Sequence, residues 1–267
     1  MTLAQLSEPY LEFARKAFSR EATYRVEVLT GIGSLVVRVY LLRSIWTALY
    51  AQNVAPKDIP LHSMITYATV AILMSLVLEV DGTRAIRDKI REGSIATDLM
   101  KPINLPLYFF SDGLGMTIFH AFTIVPALLL SLLLVHIDVP SPAALFTFAI
   151  ALVFGYLVNF FLNFLMNAVA FWTLETFAIQ LMVRWASDLL SGQILPLAFF
   201  PGALGAVVAH LPFAAIYSTP LQIYIGELPP SQWAAALGAQ VMWLAVFGAT
   251  SYVVWRLAAR RVVVQGG

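Results

Sequence analysis

Long apolar runs alternate with short polar ones along the whole chain. Residues 26–50, 61–80, 104–135, 143–172 and 232–254 are each long enough and apolar enough for a helix to cross the bilayer, which takes about 20 mostly apolar residues for roughly 30 Å of hydrocarbon. The early residues of the third run suit the interface. A sixth unit is different in kind. Between Asp188 and Glu227 no Asp, Glu, Lys or Arg appears, but Pro196, Pro201, Pro212 and Pro220 interrupt the stretch, together with Gly192, Gly202 and Gly205. One continuous helix over 186–226 is incompatible with those prolines. The pattern predicts a span reaching about Phe200, then a short re-entrant piece through Leu211 on the outer side. Irregular backbone at membrane depth needs cover from protein or a water-filled cavity. A kinked span followed by an ordinary outer loop is the alternative.

Two polar segments carry helical periodicity of their own. In residues 1–25, Leu3, Leu6, Tyr10, Phe13, Ala17 and Tyr24 recur at helical steps, while Glu12, Arg15, Lys16 and Arg20 fall mostly on the other side. Such a helix lies in the headgroup plane; a partly ordered tail is the alternative. The same charges argue against a secretory signal. In 81–102, Ile86 and Ile90 form an apolar edge, and Arg84 can pair with Asp88 one turn on. Gly93 breaks this helix, and Ser94 can cap a second turn over 95–100 that stops ahead of Pro102. A compact helix with apolar knobs and both signs of charge suits a groove on a partner; a solvated connecting loop is the alternative.

Composition sharpens this picture. The 267 residues are 60% hydrophobic and 12% charged, half the charge of a typical soluble domain at about 25%. An ordinary soluble enzyme is excluded, as are a disordered chain and, with no cysteine, a disulfide scaffold. A net charge of +1 offers nothing to nucleic acid. Placement of the charges is more informative. With the N-terminus inside, thirteen of the sixteen Lys and Arg residues fall on the cytoplasmic side, Lys57 falls outside, and Arg38 and Arg43 lie within the first span. By the positive-inside rule both termini are cytoplasmic.

A few polar groups sit at membrane depth. Arg38 and Arg43 in the first span are expected to face protein or water, since a charge at a span centre costs about 2.5–3.5 kcal/mol. Glu79, Asp112 and Glu175 are the acids nearest to hand, but they lie close to the inner boundary, well below Arg38. Structural anchoring, a lipid headgroup and the anionic group of a substrate are the alternatives for the two arginines. Asn159, Asn163 and Asn167 recur every four residues and form one polar stripe on the fourth span; it serves as interhelical glue or as a substrate contact. His120 and His136 have no metal-site spacing around them. Phe160, Phe161, Phe164, Phe171 and Trp172 are expected to pack or to meet lipid.

The run Arg91-Glu92-Gly93-Ser94-Ile95-Ala96-Thr97-Asp98-Leu99-Met100-Lys101-Pro102-Ile103-Asn104 resembles the hallmark loop of ABC-2 type transporter permeases, in particular the bacterial ABC-2 family transporter proteins. Farther on, Leu190-Ser191-Gly192-Gln193-Ile194-Leu195-Pro196, then Phe200-Pro201-Gly202, Leu211-Pro212-Phe213 and Thr219-Pro220 are similar to the Gly- and Pro-marked stretch before the last span of that superfamily. The resemblance implies an all-α integral membrane protein, with an interfacial helix over 1–25, a six-span domain over 26–260 and a cytoplasmic tail over 261–267. Within it, 82–102 would hold a coupling helix and 186–226 the broken fifth span with an extracellular-side hairpin. The implied contact with a separate ATPase falls on Arg87, Arg91, Glu92, Gly93, Ser94, Asp98 and Leu99, with Pro102 ending the element. The implied external gate falls on Ser191, Gly192, Pro196, Pro201, Pro212, Phe213 and Pro220. Arg38, Arg43, Asn159, Asn163 and Asn167 are the pathway candidates.

The chain has no G-x-x-x-x-G-K-[ST] run, so no cofactor is expected in it. ATP and magnesium would belong to a partner ATPase, and a second permease half, identical or a sister chain, would complete the path. The resemblance implies an exporter in the bacterial inner membrane. Its cargo would be an amphipathic small molecule such as a drug or antibiotic, or a lipid-like compound. A membrane-embedded enzyme would need acids and histidines clustered at one depth, and the interior acids are too scattered. An ion-coupled secondary transporter would be expected to carry inverted repeats, and the two halves of the chain are not alike.

Overall fold

The structure is a computed structural model that describes residues 3–23, 25–52, 59–78, 82–173 and 176–265. Among these the protein is helical, without strands. In chain order the helices are α1 (Leu3–Glu21), α2 (Arg25–Ala51), α3 (Leu61–Leu78), α4 (Arg84–Arg91), α5 (Ile95–Leu99), α6 (Leu105–Leu132), α7 (Pro142–Ala168), α8 (Phe177–Leu190), α9 (Gly202–Ala209), α10 (Ser218–Tyr224) and α11 (Pro230–Gln265). Short 3-10 turns extend α7 at Val169–Phe171 and stand at Leu197–Phe199.

Helix starts follow local chemistry. The Asn104 side chain accepts a hydrogen bond from the Leu107 amide at 3.1 Å, and Ser141 accepts one from the Ala144 amide at 3.3 Å. Each satisfies a first-turn donor that has no intrahelical partner. A proline in the first turn of both α6 and α7 needs no such partner.

Five of the described helices are long and apolar enough to cross a membrane, namely α2, α3, α6, α7 with its 3-10 extension, and α11. The fifth predicted unit departs from expectation. Its helix, α8, starts at Phe177 rather than at 186 and stops at Leu190 rather than near Phe200. Its 14 residues span about 21 Å at 1.5 Å each, short of the hydrocarbon thickness. Read along the chain, Arg184 falls in a cytoplasmic segment ahead of a span beginning at 186, yet the helix runs through it, and Arg184 and Asp188 line a polar cavity.

α3 is the hub, with 67% of its apolar window buried against 11% for α2 and for α11. It packs against α2, α6, α7 and α10. The phenylalanines of α7 do pack as expected. Phe160 meets Phe110 of α6 edge-on at 5.0 Å, and Phe164 lies 5.8 Å from Trp255 of α11. Beyond α8, the buried turn residues Ala214, Ala215 and Ile216 lie against the middle of α7, where a Cβ on Gly155 would come within 2.7 Å of the Ile216 carbonyl. Buried Gln240 of α11 donates to the Ala151 and Ala215 carbonyls at 2.9 and 2.7 Å, tying the turn to two spans.

α1 docks lengthwise on α6 and does not stand alone. Ala17 is fully buried, Phe13 stacks edge-on with Tyr108 at 4.8 Å, and the Asn104 amide donates to the Tyr10 hydroxyl at 2.9 Å. Arg20 grips Asp112 with two hydrogen bonds of 3.1 and 3.3 Å, so Asp112 belongs to this clasp and not to Arg38. Tyr24, Glu79 and Glu175 lie outside the described residues, as do the side chains of Leu3 and Leu6.

Close approach of α1 and α6 depends on Gly115, where a Cβ would sit 2.1 Å from the Ala14 carbonyl oxygen. A Gly115→Val substitution should force the helices apart. The expected loss is about 1–3 kcal/mol, read as earlier thermal unfolding in detergent and faster proteolysis within 10–20; unchanged behaviour would refute the packing.

Candidate functional site

Three elements meet around a cavity of about 340 Å³ at the end of the bundle where α3 stops. α7 contributes Asn159, Asn163 and Asn167, α8 contributes Gln180, Arg184, Ser187 and Asp188, and α4 contributes Arg84 and Arg87. The asparagines recur every four residues, as do Gln180, Arg184 and Asp188. Four-residue spacing keeps side chains on one helix face, so two polar stripes confront each other across the cavity.

A continuous hydrogen-bond chain runs along one wall. Arg87 donates to the Gln180 side-chain oxygen at 2.8 Å, and the Gln180 amide donates to the Asn167 oxygen at 3.1 Å. Asn167 donates to the Thr83 hydroxyl at 3.2 Å and to the Asn163 carbonyl at 2.9 Å. Asn163 reaches the Asn159 carbonyl and side-chain oxygens at 2.9 and 3.0 Å, and Asn159 donates to the Leu78 carbonyl at the end of α3. Every member of this chain has a protein partner although Arg87, Asn159, Asn163, Asn167 and Gln180 also line the cavity. The bonds of Asn163, and that from Asn167 to the Asn163 carbonyl, stay within α7; those from Gln180 to Asn167 and from Asn159 to Leu78 join different helices, and such interhelical bonds are worth about 0.6–2 kcal/mol each. The two ends of the asparagine stripe, Asn159 and Asn167, are thus bonded to other helices, and all three asparagines line the cavity.

The α4–α5 unit departs from its predicted presentation. Ile86 is fully buried and Ile95 nearly so, so the apolar edge of α4 packs into the bundle instead of projecting from it. Asp98 is turned inward as well, only 5% exposed, between Lys89 and Lys101 with both ammonium groups at 2.5 Å. Burial alone would raise its pKa, but hydrogen bonds from Lys101 and Lys89 outweigh that and hold the carboxyl below the ordinary aspartate value. Ser94 occupies the predicted cap position but makes no side-chain cap; its hydroxyl points back to the Lys89 carbonyl at 3.4 Å. Asp88 pairs with its neighbour Arg87 at 3.0 Å. Leu99 is half-buried. What the unit exposes is Arg91, Glu92 and Gly93, with Met100 as the outward apolar knob at 79% exposure.

The remaining predicted residues are dispersed. Arg43 donates to the Leu134 carbonyl beyond the end of α6 at 2.6 Å, an anchoring contact. Arg38 and Arg184 are both within electrostatic reach of Asp188. In the proline-rich stretch Ser191, Gly192, Pro196 and Pro220 are buried, Pro212 and Phe213 half-buried, and Pro201 exposed. Gly192 has φ of +86°, and a Cβ there would come within 2.9 Å of the Tyr67 hydroxyl; that hydroxyl donates to the Gly192 carbonyl at 2.7 Å in a buried site. Gln180, Thr83, Asp188, Tyr67 and Gln240 escape a reading of the sequence alone. For Gln180 and Asp188 a signal exists, the four-residue recurrence with Arg184. For Tyr67 and Gln240 none does, since a lone polar residue in an apolar run leaves its partner unspecified.

A polytopic helical bundle with a polar cavity beside a short charged helical unit defines a multi-pass membrane protein. The family model described as ABC-2 family transporter protein matches residues 26–266, and the chain belongs to that family. Members are membrane subunits of transporters, without an ATPase site of their own, that work with ABC ATPase partners. Nothing among curated proteins or solved structures matches the chain.

Two outcomes follow from the bonding. Gln180→Leu leaves Arg87 and Asn167 each short of a partner, at a cost of about 1–3 kcal/mol. Combining it with Arg87→Leu should cost less than the two separate losses added together, as thermal unfolding would report; strict additivity would deny the link. For Asp98, a folded pKa below the unfolded one means stabilisation that is complete above the ordinary value of 3.8 and disappears as pH falls further through the lowered folded value. Asp98→Asn should therefore be less stable than the parent at neutral pH, with the difference shrinking under acid titration.

Proposed function

We propose that the chain is the permease subunit of an ATP-driven exporter, one of two membrane halves, identical or sister chains, that line a pathway. Its α4–α5 unit docks into a groove on a separate ATPase, which holds ATP and magnesium. The observation that carries this reading is the double attachment of that unit. Outward it offers Arg91, Glu92, Gly93 and Met100. Inward, Arg87 is bonded through Gln180 to Asn167, and so to α8 and α7. A push on the exposed face would be passed to two helices as rigid-body motion, the usual form of switching at an interface. Asp98, Lys89 and Lys101 keep the unit stiff, and Ser94 and Leu99 contribute from within it. Pro102 ends it.

The segment 186–226 serves as the external gate in this reading, with the buried turn beside the middle of α7 as its re-entrant part. Protein on all sides of that turn is what irregular backbone needs at such depth. Residues 1–25 form an interfacial helix, both termini face the cytoplasm, and the membrane is the bacterial inner membrane, which accords with the placement of the lysines and arginines. α2 and α11 are mostly unburied in the single chain, which leaves broad apolar faces for lipid and for the second half. The cargo is an amphipathic small molecule or lipid-like compound.

Purification in mild detergent tests the assembly. The intact chain should carry an ABC ATPase with it, and the complex should hydrolyse ATP in a vanadate-sensitive way. The double variant Arg91→Glu, Met100→Glu should lose both properties while the permease itself still folds. Retention of the ATPase and of hydrolysis by that variant would overturn the docking surface.

A further inference from the structure

A second route leaves the charged unit besides Arg87. α11 runs unbroken from Pro230 to Gln265, 36 residues or about 54 Å at 1.5 Å each. Hydrocarbon takes up only about 30 Å of that, so the helix outlasts the membrane, and its far end packs against α5. Ala258 is fully buried on that stretch. One turn back, Trp255 lies 5.8 Å from Phe171 in the 3-10 extension of α7, on which α4 also rests.

About 27 Å up the same axis from Ala258, Gln240 is fully buried. Its amide nitrogen donates to the Ala151 carbonyl of α7 and to the Ala215 carbonyl of the buried turn, at 2.9 and 2.7 Å. The amide oxygen of the same side chain has no partner among the described residues. A buried acceptor left unpaired is costly, so packing alone would favour an apolar side chain here. The grip of the nitrogen on two carbonyls offsets that cost. Between these two points α11 lies along α7. A Cβ on Gly248 would come 3.9 Å from the Phe161 ring, and Trp255 meets Phe164. Helices packed so closely move as one body, because a dense interface passes strain on instead of sliding. The turn has only short bonds of its own, from the Ala214 amide to the Leu211 carbonyl at 3.2 Å and from the Ile216 amide to the Phe213 carbonyl at 3.0 Å.

We infer that the α7–α11 pair is a lever with its inner end at α5, and that Gln240 is the positioning residue through which the buried turn 211–217 follows it. The lever stands on packing and hydrogen bonds alone. Its purpose, carrying the motion of an ATPase to an external gate, rests on the permease reading given above.

The test starts with the full chain purified in a neutral detergent, without any ATPase, and reads backbone hydrogen exchange by mass spectrometry. Ala258→Leu overfills a fully buried position at the inner end of the lever. It should quicken exchange across 211–217 by about tenfold, the effect of losing a hydrogen bond of ordinary strength, and leave 126–132 at the outer end of α6 unchanged. Ala258→Val, a smaller intrusion, takes its place with the same expectation should the leucine prevent folding. Gln240→Met keeps the side-chain length and removes both donors. By itself it should quicken the turn to a similar degree, and adding Ala258→Leu should quicken it no further, a masking that a merely structural glutamine would not produce. A turn unmoved by the substitution at Ala258, or moved only in step with 126–132, would overturn the lever. Effects of the two substitutions that simply multiply would overturn the role of Gln240.

The same measurement on the complex with its ATPase compares the nucleotide-free and vanadate-trapped states. Trapping should change exchange at 91–100 and at 211–217 in the parent, but only at 91–100 in Gln240→Met. A turn that still responds in Gln240→Met would overturn the role of Gln240. Masking between Ala258→Leu and Gln240→Met in a chain that captures no ATPase would leave the lever standing and remove the permease reading; a captured ATPase with an inert turn would remove the lever alone.

Discussion

The hydrogen bond from Arg87 to Gln180 joins two worlds that a bilayer otherwise keeps apart. Arg87 belongs to a short charged helix outside the apolar spans, and Gln180 to a helix that enters them. Hydrocarbon offers no substitute partner to a guanidinium or an amide, so the links behind this bond have to be completed inside the protein. They are completed through Asn167, Asn163 and Asn159, ending on the last carbonyl of α3. Polar satisfaction inside the protein thus couples the position of the charged unit to α8, α7 and α3.

The same economy explains the layout around it. α3 has no Asp, Glu, Lys or Arg and takes the centre, covered by α2, α6, α7 and α10. α1 covers the N-terminal half of α6 through tight backbone contact at Gly115 and the clasp of Arg20 on Asp112. That clasp is half-exposed on the arginine side, so its contribution is discounted by solvent to the scale of a surface pair, about 0–1 kcal/mol. Packing of Phe13 and Phe18 on the aromatic side chains of α6 carries more of the attachment. On the far side, α8 has no buried residue at all. Its polar stripe faces the cavity and its apolar remainder is open, which places the cavity at the edge of the single chain rather than in its centre.

Much of the fold was legible from apolar run lengths. Four spans appear within a few residues of their predicted positions, because a bilayer imposes both a length and a composition; the last starts within two residues of its prediction but its helix runs on to Gln265, past the predicted end at 254 and into the segment expected as a tail. The Asn stripe was legible by its spacing, and the break at Gly93 by residue type. Legibility failed where a charged residue is tolerated by its surroundings. Arg184 reads as a cytoplasmic loop residue along the chain, yet α8 runs through it beside the cavity that it lines. It failed again for Ile86 and Asp98, because periodicity marks the apolar edge of α4 but does not say whether that edge meets a partner or the bundle, nor that Asp98 turns inward between two lysines.

Sequence alone determined that the chain is a multi-pass helical membrane protein, where five of its apolar helices lie, and that a charged helical pair follows the second of them, since these depend on local composition and on lengths set by the bilayer. Tertiary structure decided which way that pair turns, that Gln180 bridges it to the spans, and that Arg84, Arg87, Arg184 and Asp188 share one cavity. Those facts join residues nearly a hundred positions apart, and a contact at that separation is specified by how helices pack, not by the periodicity of any one of them.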